Sequence, residues 1–279
     1  MSKPSSVSVI FTTYNSPLWL EKVLWGFFVQ TTQDFEIIIA DDGSTEETTH
    51  LIKRMQAESP VPIVHVWHED DGFQKCQIMN KAILRAGGEY LIFTDGDCIP
   101  RKDFVEQHIR HSGRRHYLSG GYFKLPMNIS QAITHDDVIA QRPFDPDWLA
   151  GRGLRKSLKT LKFTAKGIWA ELLNRITPTR PTWNGHNASC YKEAALAVNG
   201  FEELMQYGGQ DCEFGDRLKN YGLIPKRVRY SAICVHLDHK RGYVTETMLE
   251  NSRKIREETQ KKRRIKALKG IEQYQHISE

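Results

Sequence analysis

Along the first half of the chain, short apolar runs alternate with longer stretches whose apolar residues recur at helical spacing. Val7–Thr13 is a β-branched run and reads as a first strand. Ser16 as an N-cap and Pro17 at the first helical position then open a helix. Leu18, Leu20, Val23, Leu24, Phe27 and Phe28 form its apolar stripe. Residues 35–40 give a second buried strand, a helix follows to about residue 57, and Ile63–Trp67 gives a third strand. Residues 74–86 read as a helix stopped by Gly87 and Gly88, and the apolar run from Tyr90 ends in Asp95, Gly96 and Asp97. This alternation predicts an α/β fold, a mostly parallel sheet flanked by helices. Right-handed crossovers bring the strand ends to one edge, which Asp41, Asp42, Asp95 and Asp97 then share. A helix over residues 102–112 and a strand over 117–123 complete this half.

From about residue 129 the pattern changes. Residues 151–182 carry eight basic side chains against one acid, Glu171. Leu154, Leu158, Leu161, Ala165, Ile168, Trp169, Leu172, Leu173 and Ile176 recur there at helical spacing. Such a stretch suits an anionic membrane surface; it equally suits a helix packed on the core with a solvated lysine face. Basic helical composition returns at residues 252–269, where a solvated or fraying tail is the plain expectation and a second membrane or phosphate contact the alternative. Residues 1–150 hold 14 basic and 20 acidic side chains, and residues 151–279 hold 25 and 14. An acidic half beside a basic one implies a metal-using site next to a surface that meets anions. No run is long enough to span a membrane, no apolar signal region opens the chain, and five cysteines are scattered without paired spacing. A cytoplasmic setting is therefore expected, with peripheral contact at the inner face of the membrane as a role for the basic segment.

Two carboxylates close together at a strand end suit a divalent cation with oxygen ligands, which commonly also holds a diphosphate. Gly96 lets the backbone turn tightly beside them. Asp-x-Asp alone arises by chance in many chains, so its companions matter. Gly208 and Gly209 would let backbone approach a ligand, and Asp211 follows at a helix start. There it is either a favourable dipole contact or, at a sugar site, a general base.

Taken in order, Thr13-Tyr14-Asn15, Asp42-Gly43-Ser44, Asp71-Gly72-Phe73-Gln74, Asp95-Gly96-Asp97 and the GGQDCEFG run from Gly208 form a set. The set resembles family 2 inverting glycosyltransferases of the GT-A (Rossmann-like) fold. Within that family it is most similar to bacterial chondroitin-polymerase-type transferases with a galactosyltransferase-like C-terminal module. The resemblance covers about residues 7–125 and 183–240. It divides the chain into a nucleotide-sugar-binding half (1–125), a basic helical insertion (126–182), an acceptor and catalytic-base module (183–245) and a basic helical tail (246–279).

The resemblance also implies roles. Thr13, Tyr14 and Asn15 lie against the nucleotide, and Asp42 holds the uracil or ribose. Asp71, Gln74 and Asn80 border nucleotide and donor sugar; Asp95 and Gly96 meet the ribose; Asn187 and Gly209 lie near the sugars. Asp97 and a histidine hold Mn2+ or Mg2+, and His236 is preferred to His239 because it ends a strand. Asp211 is the base. Met79 stands where the family often has arginine, which leaves Lys75 as a substitute charge for the diphosphate, and Gln210 replaces the usual glutamate.

The implied activity is transfer of a hexose or N-acetylhexosamine from a UDP-sugar to a glycan or lipid-linked acceptor, with inversion, in surface polysaccharide or lipopolysaccharide synthesis. Nucleic acid is not an expected partner. A sugar-nucleotide pyrophosphorylase would need a glycine-rich, arginine-containing loop where residues 11–17 read FTTYNSP. A basic module binding membrane or nucleic acid would leave the acids at the strand ends unexplained.

Overall fold

Four of the predicted strands, β1 (Val7–Thr13), β2 (Glu36–Asp41), β3 (Ile63–Trp67) and β4 (Tyr90–Asp95), pair in parallel in the order β3-β2-β1-β4. The structure, a computed structural model, describes residues 3–155, 157–239 and 244–275. Helices α1 (Pro17–Phe28) and α2 (Glu46–Glu58) cover one face of the sheet, and α3 (Lys75–Arg85) covers the other. Alternate strand residues therefore enter different cores. Val9, Phe11, Ile37 and Ile39 pack with Leu20, Leu24 and Ile52, while Ile10, Ile38 and Phe93 pack with Ile78, Met79 and Ile83. Burial on both faces is why these strands read as continuous apolar runs. Each such side chain contributes roughly 1.5–3 kcal/mol of transfer free energy.

The sheet is extended by β6 (His116–Ser119), β8 (Ala188–Tyr191) and β9 (Ile224–Arg227), giving the order β3-β2-β1-β4-β8-β6-β9 with β8 antiparallel to both neighbours. A second, small sheet has the order β5 (Cys98–Pro100), β10 (Ile233–His236), β7 (Gly121–Lys124). The single strand expected over residues 117–123 is thus two strands on different sheets. Asn187 forces the break. Its buried side chain lies so close to Gly120 that a Cβ there would sit 2.0 Å from its Oδ1. Its Nδ2 donates to the carbonyls of Gly121 (2.9 Å) and Ala232 (3.0 Å), bridging toward the small sheet.

Helix α4 (Phe104–His111) precedes β6, and after β7 the chain forms α5 (Met127–Ala132), α6 (His135–Ile139), α7 (Pro146–Gly151), α8 (Leu161–Thr164) and α9 (Gly167–Ile176). The helical spacing of residues 154–176 is therefore not one helix: Lys166 is extended (φ −138°, ψ 158°) and separates α8 from α9. No helix of the described residues is long and apolar enough to cross a membrane.

The C-terminal region is docked, in contrast to the solvated tail expected for residues 252–269. After α10 (Lys192–Ala197) and α11 (Gln210–Tyr221), α12 (Glu246–Lys262) lies along α11, and α13 (Glu272–Gln275) ends the described chain. Thr259 Oγ1 donates to Glu213 Oε1 at 2.9 Å, and Arg256 and Gln260 donate to Asp216 Oδ2 at 3.0 and 2.8 Å. Beyond α12, Ala267 and Ile271 are buried, and Glu202 accepts from the amides of Leu268 and Lys269.

Inside α11, Glu213 and Arg217 form a fully buried pair, with Nε 2.8 Å from Oε1 and Nη2 2.9 Å from Oε2. Removing one partner strands the other charge in a dry environment. Arg217→Met should lose about 3–5 kcal/mol in urea unfolding. Arg253→Met, which breaks only the exposed 3.9 Å pair with Glu257, should change stability by under about 1 kcal/mol.

Candidate active site

The site forms where β4 runs out. After Asp95 the chain turns at Gly96, whose amide donates to the Thr12 carbonyl at 2.9 Å; a Cβ there would meet that same oxygen at 2.6 Å. The chain then enters β5, and the antiparallel register of β5 with β10 places Cys98 opposite His236. The Leu237 amide donates to the Asp97 carbonyl at 2.9 Å, fixing Asp97 beside the end of β10. His236 Nε2 lies 3.5 Å and His239 Nε2 3.0 Å from Asp97 Oδ2. The two rings stack with centroids 5.3 Å apart. The preference for His236 thus meets a geometry in which both histidines reach one oxygen, His239 the nearer.

The donor set fits a divalent cation. A carboxylate and imidazole nitrogens converge, and His236 Nδ1 is buried with no hydrogen-bond partner. Cys98 also falls within this group; burial and the neighbouring Cys234 push its thiol far up, and its Sγ donates to Asp97 Oδ1 at 3.5 Å. Carboxylate and imidazole without thiolate suit Mg2+ or Mn2+.

On the other side of Asp95, Lys75 opens α3 and donates from Nζ to Asp95 Oδ1 at 2.7 Å. Burial opposes the ammonium charge, yet Asp95, Asp211 and Asp97 together hold its pKa above the ordinary lysine value. Burial would likewise raise Asp95, but Lys75, with help from His186 and His236, brings its carboxyl down to about 2. Asp211 sits in the first turn of α11, where the helix dipole favours a negative charge. Burial nonetheless pushes its carboxyl up to about 6; Lys75 opposes this, Asp95 adds to it and the Gly185 amide opposes it. Asp211 Oδ1 is buried with no hydrogen-bond partner. A carboxylate with a free oxygen and a pKa near neutrality is equipped to accept a proton.

The first strand-end acids occupy the other part of the edge, beside the loop after β1. Asp42 accepts from His68 Nε2 at 2.8 Å and from the Gln74 amide at 3.1 Å; burial still raises its pKa, with His68 opposing. Asn15, in a left-handed conformation (φ 44°), accepts the Thr45 amide on Oδ1 and donates its own amide to Ser44 Oγ, both at 2.9 Å. Thr13 is buried with its hydroxyl unpartnered, and the exposed Tyr14 hydroxyl donates to Asp70 Oδ2 at 2.9 Å. The structure therefore gathers Thr13, Tyr14, Asn15, Asp42 and Gln74 around one loop, with Asp71 exposed beside them.

Two other candidate residues are engaged elsewhere. Asn80 is fully buried and staples α3 to the C-terminal region: Nδ2 donates to Phe201 O and Glu203 Oε1, both at 2.9 Å, and Oδ1 accepts the Phe201 amide at 2.7 Å. Asn187 is occupied by the sheet break and by His108, whose Nε2 lies 3.0 Å from Oδ1. Gly209 is the left-handed N-cap of α11 (φ 92°), two residues before Asp211. Two residues not singled out as candidates join the site instead. His186 is pushed down to about 4 by burial, and the Tyr122 ring packs 4.4 Å from His186 and 5.2 Å from His236. For His186 the signal was its place between Gly185 and Asn187; Tyr122 carries none in the sequence.

A mostly parallel seven-stranded sheet of this order, flanked by helices, is the GT-A glycosyltransferase fold. Among solved structures, GalNAc-T7 with UDP, GalNAc and Mn2+ superposes with a TM-score of 0.61 at 15% identity, covering 92% of this chain and 48% of that one. The family described as Glycosyl transferase family 2 matches residues 8–157, and the chain belongs to it. The validoxylamine A glucosyltransferase of Streptomyces hygroscopicus subsp. jinggangensis is 25% identical over 277 residues, covering 90% of this chain. The chondroitin synthase of Escherichia coli is 27% identical over 238 residues, covering 77% of this chain. The chain spans 60% of the length of the first and 32% of the second.

Manganese binding can be read without substrate. By Mn2+ electron paramagnetic resonance titration, Asp97→Ala should weaken binding by more than the roughly 10–100-fold that loss of an outer partner costs. His239→Ala should weaken it less than Asp97→Ala, and an unchanged affinity in Asp97→Ala would remove this cluster as the metal site.

Proposed function

We propose that the protein is an inverting glycosyltransferase that moves a hexose or N-acetylhexosamine from a UDP-sugar to a hydroxyl of a glycan or lipid-linked acceptor. The observation that carries this reading is Asp211: a carboxylate with an unpartnered oxygen and a pKa pushed up to about 6, close enough to Lys75 and Asp95 for their charges to act on it. The names of the relatives support sugar transfer, and the presence of UDP in the GalNAc-T7 structure supports a uridine nucleotide. Similarity to chondroitin synthase supports a polysaccharide acceptor, which we place in surface polysaccharide synthesis, with contact at the inner face of the membrane.

In this mechanism Asp42, with Thr13, Tyr14 and Asn15, receives the uridine, and Asp95 accepts from the ribose. Asp97 and His236, with His239 beside them, hold Mn2+ or Mg2+, which when bound supplies Lewis-acid stabilisation of the departing diphosphate. Lys75 adds a fixed positive charge on the same side. Asp211 removes the proton from the acceptor hydroxyl as its oxygen bonds to the anomeric carbon and the bond to the diphosphate breaks. One displacement from the opposite face inverts the centre. Holding donor and acceptor in line supplies much of the remaining acceleration.

Asp211→Asn should lower transfer by about 10²–10⁴-fold while nucleotide-sugar binding persists. The variant should be no less stable at pH 7.5. A carboxyl whose folded pKa lies above its unfolded value costs stability as pH rises through that window, from the ordinary aspartate range to about 6, and asparagine removes the cost. In the wild type, the rate should fall about tenfold per unit as pH drops below about 6. Ordinary turnover by Asp211→Asn would contradict the assignment.

A further inference from the structure

Helix α9 presents the wrong face to the protein for a core helix. Facing inward are Ala170 and Asn174, whose Nδ2 donates to Ser231 Oγ at 2.9 Å and whose Oδ1 accepts the Tyr230 amide at 2.8 Å. The C-terminal end is pinned by Arg227, which donates to the carbonyls of Thr177 (3.1 Å) and Arg175 (3.2 Å). These polar contacts fix the rotation of the helix about its axis. Facing outward are Ile168, Trp169, Leu172 and Ile176, which are 84%, 71%, 43% and 64% exposed. Ile168, Leu172 and Ile176 stack one turn apart and Trp169 sits beside them, so they form one apolar arc. Leu161 of α8 is also exposed.

The arc is rimmed by cations. Lys159, Lys166, Arg175 and Arg180 are all exposed around it. Glu171, the only acid in residues 151–182, is taken by Arg110 at 3.2 Å. A second copy of this face would set one basic rim against another, which like charges disfavour. An anionic lipid surface complements both features, because its phosphates meet the rim and its acyl boundary takes the arc.

We propose that α9 docks the protein on an anionic bilayer, with Trp169, Ile168, Leu172 and Ile176 entering the headgroup region. The preceding helix, α8, touches the site: Lys162 donates to the Tyr122 carbonyl at 3.1 Å, and the Tyr122 ring centroid lies 5.2 Å from that of His236. The surface itself is independent of the sugar-transfer reading, since vesicle binding requires no donor.

The test is co-sedimentation of the full chain with vesicles of phosphatidylcholine alone or mixed with phosphatidylglycerol. The chain should partition onto the mixed vesicles at least about tenfold better than onto the neutral ones, with loss at high salt. The triple variant Ile168→Ser, Trp169→Ser, Ile176→Ser should lose this partitioning while keeping the wild-type melting temperature, because none of the three is packed. A single Trp169→Phe should retain most of the binding. Absence of wild-type binding to anionic vesicles would overturn the proposal, as would undiminished binding by the triple variant. A wild-type dimer that the triple variant turns into a monomer, with neither species binding vesicles, would assign the face to a second copy instead.

Discussion

Three carboxylates crowded at one sheet edge cannot all remain ionised in a partly dry pocket without compensation. The chain resolves the conflict differently for each. Asp95 is locked in its charged form by Lys75, Asp97 is turned to a pair of imidazoles, and Asp211 is left with a free oxygen and a pKa near neutrality. In the proposed mechanism these become a ligand charge, an ion ligand and a proton acceptor set close together. Their roles follow from surroundings, since all three side chains are chemically identical.

Most of the architecture exists to hold those three in place. The β5–β10 register and the Leu237–Asp97 hydrogen bond decide where Asp97 meets His236. Helix α11 decides where Asp211 points, and it is braced internally by Glu213–Arg217 and externally by α12 through Thr259, Arg256 and Gln260. The C-terminal region thus supports the proposed base at a distance of more than 30 residues in sequence. Asn80 and Glu203 tie α3 to that same region.

The strands that carry the acids were legible because parallel strands buried on both faces are apolar throughout and stop abruptly at polar residues. Val7–Thr13, buried at nearly every position, was read to the residue for this reason. The division of residues 117–123 into two strands was not legible, because it depends on Asn187 reaching under Gly120 from far along the chain. Asn80 and Asn187 occupy motif positions, yet their amides are committed to backbone partners that only the tertiary structure supplies. Helix α9 shows a different limit: apolar periodicity identifies an amphipathic helix but says nothing of which face turns inward. Here Asn174 decides the matter through Ser231 and Tyr230. The docking of residues 252–269 was hidden similarly, since its contacts are polar and look like those of a solvated helix.

The central claim is that the edge built by Asp95, Asp97, His236 and Lys75 is a metal-dependent nucleotide-sugar site. It is tested most directly by calorimetric titration of UDP-glucose, UDP-galactose, the two UDP-N-acetylhexosamines and GDP-mannose into wild-type protein and Asp97→Ala, each with Mn2+ and with EDTA. The account predicts that a UDP-sugar binds the wild type in Mn2+, and that this binding disappears in EDTA and in Asp97→Ala. Failure of every nucleotide sugar to bind the folded protein, or binding indifferent to both EDTA and Asp97→Ala, would contradict it.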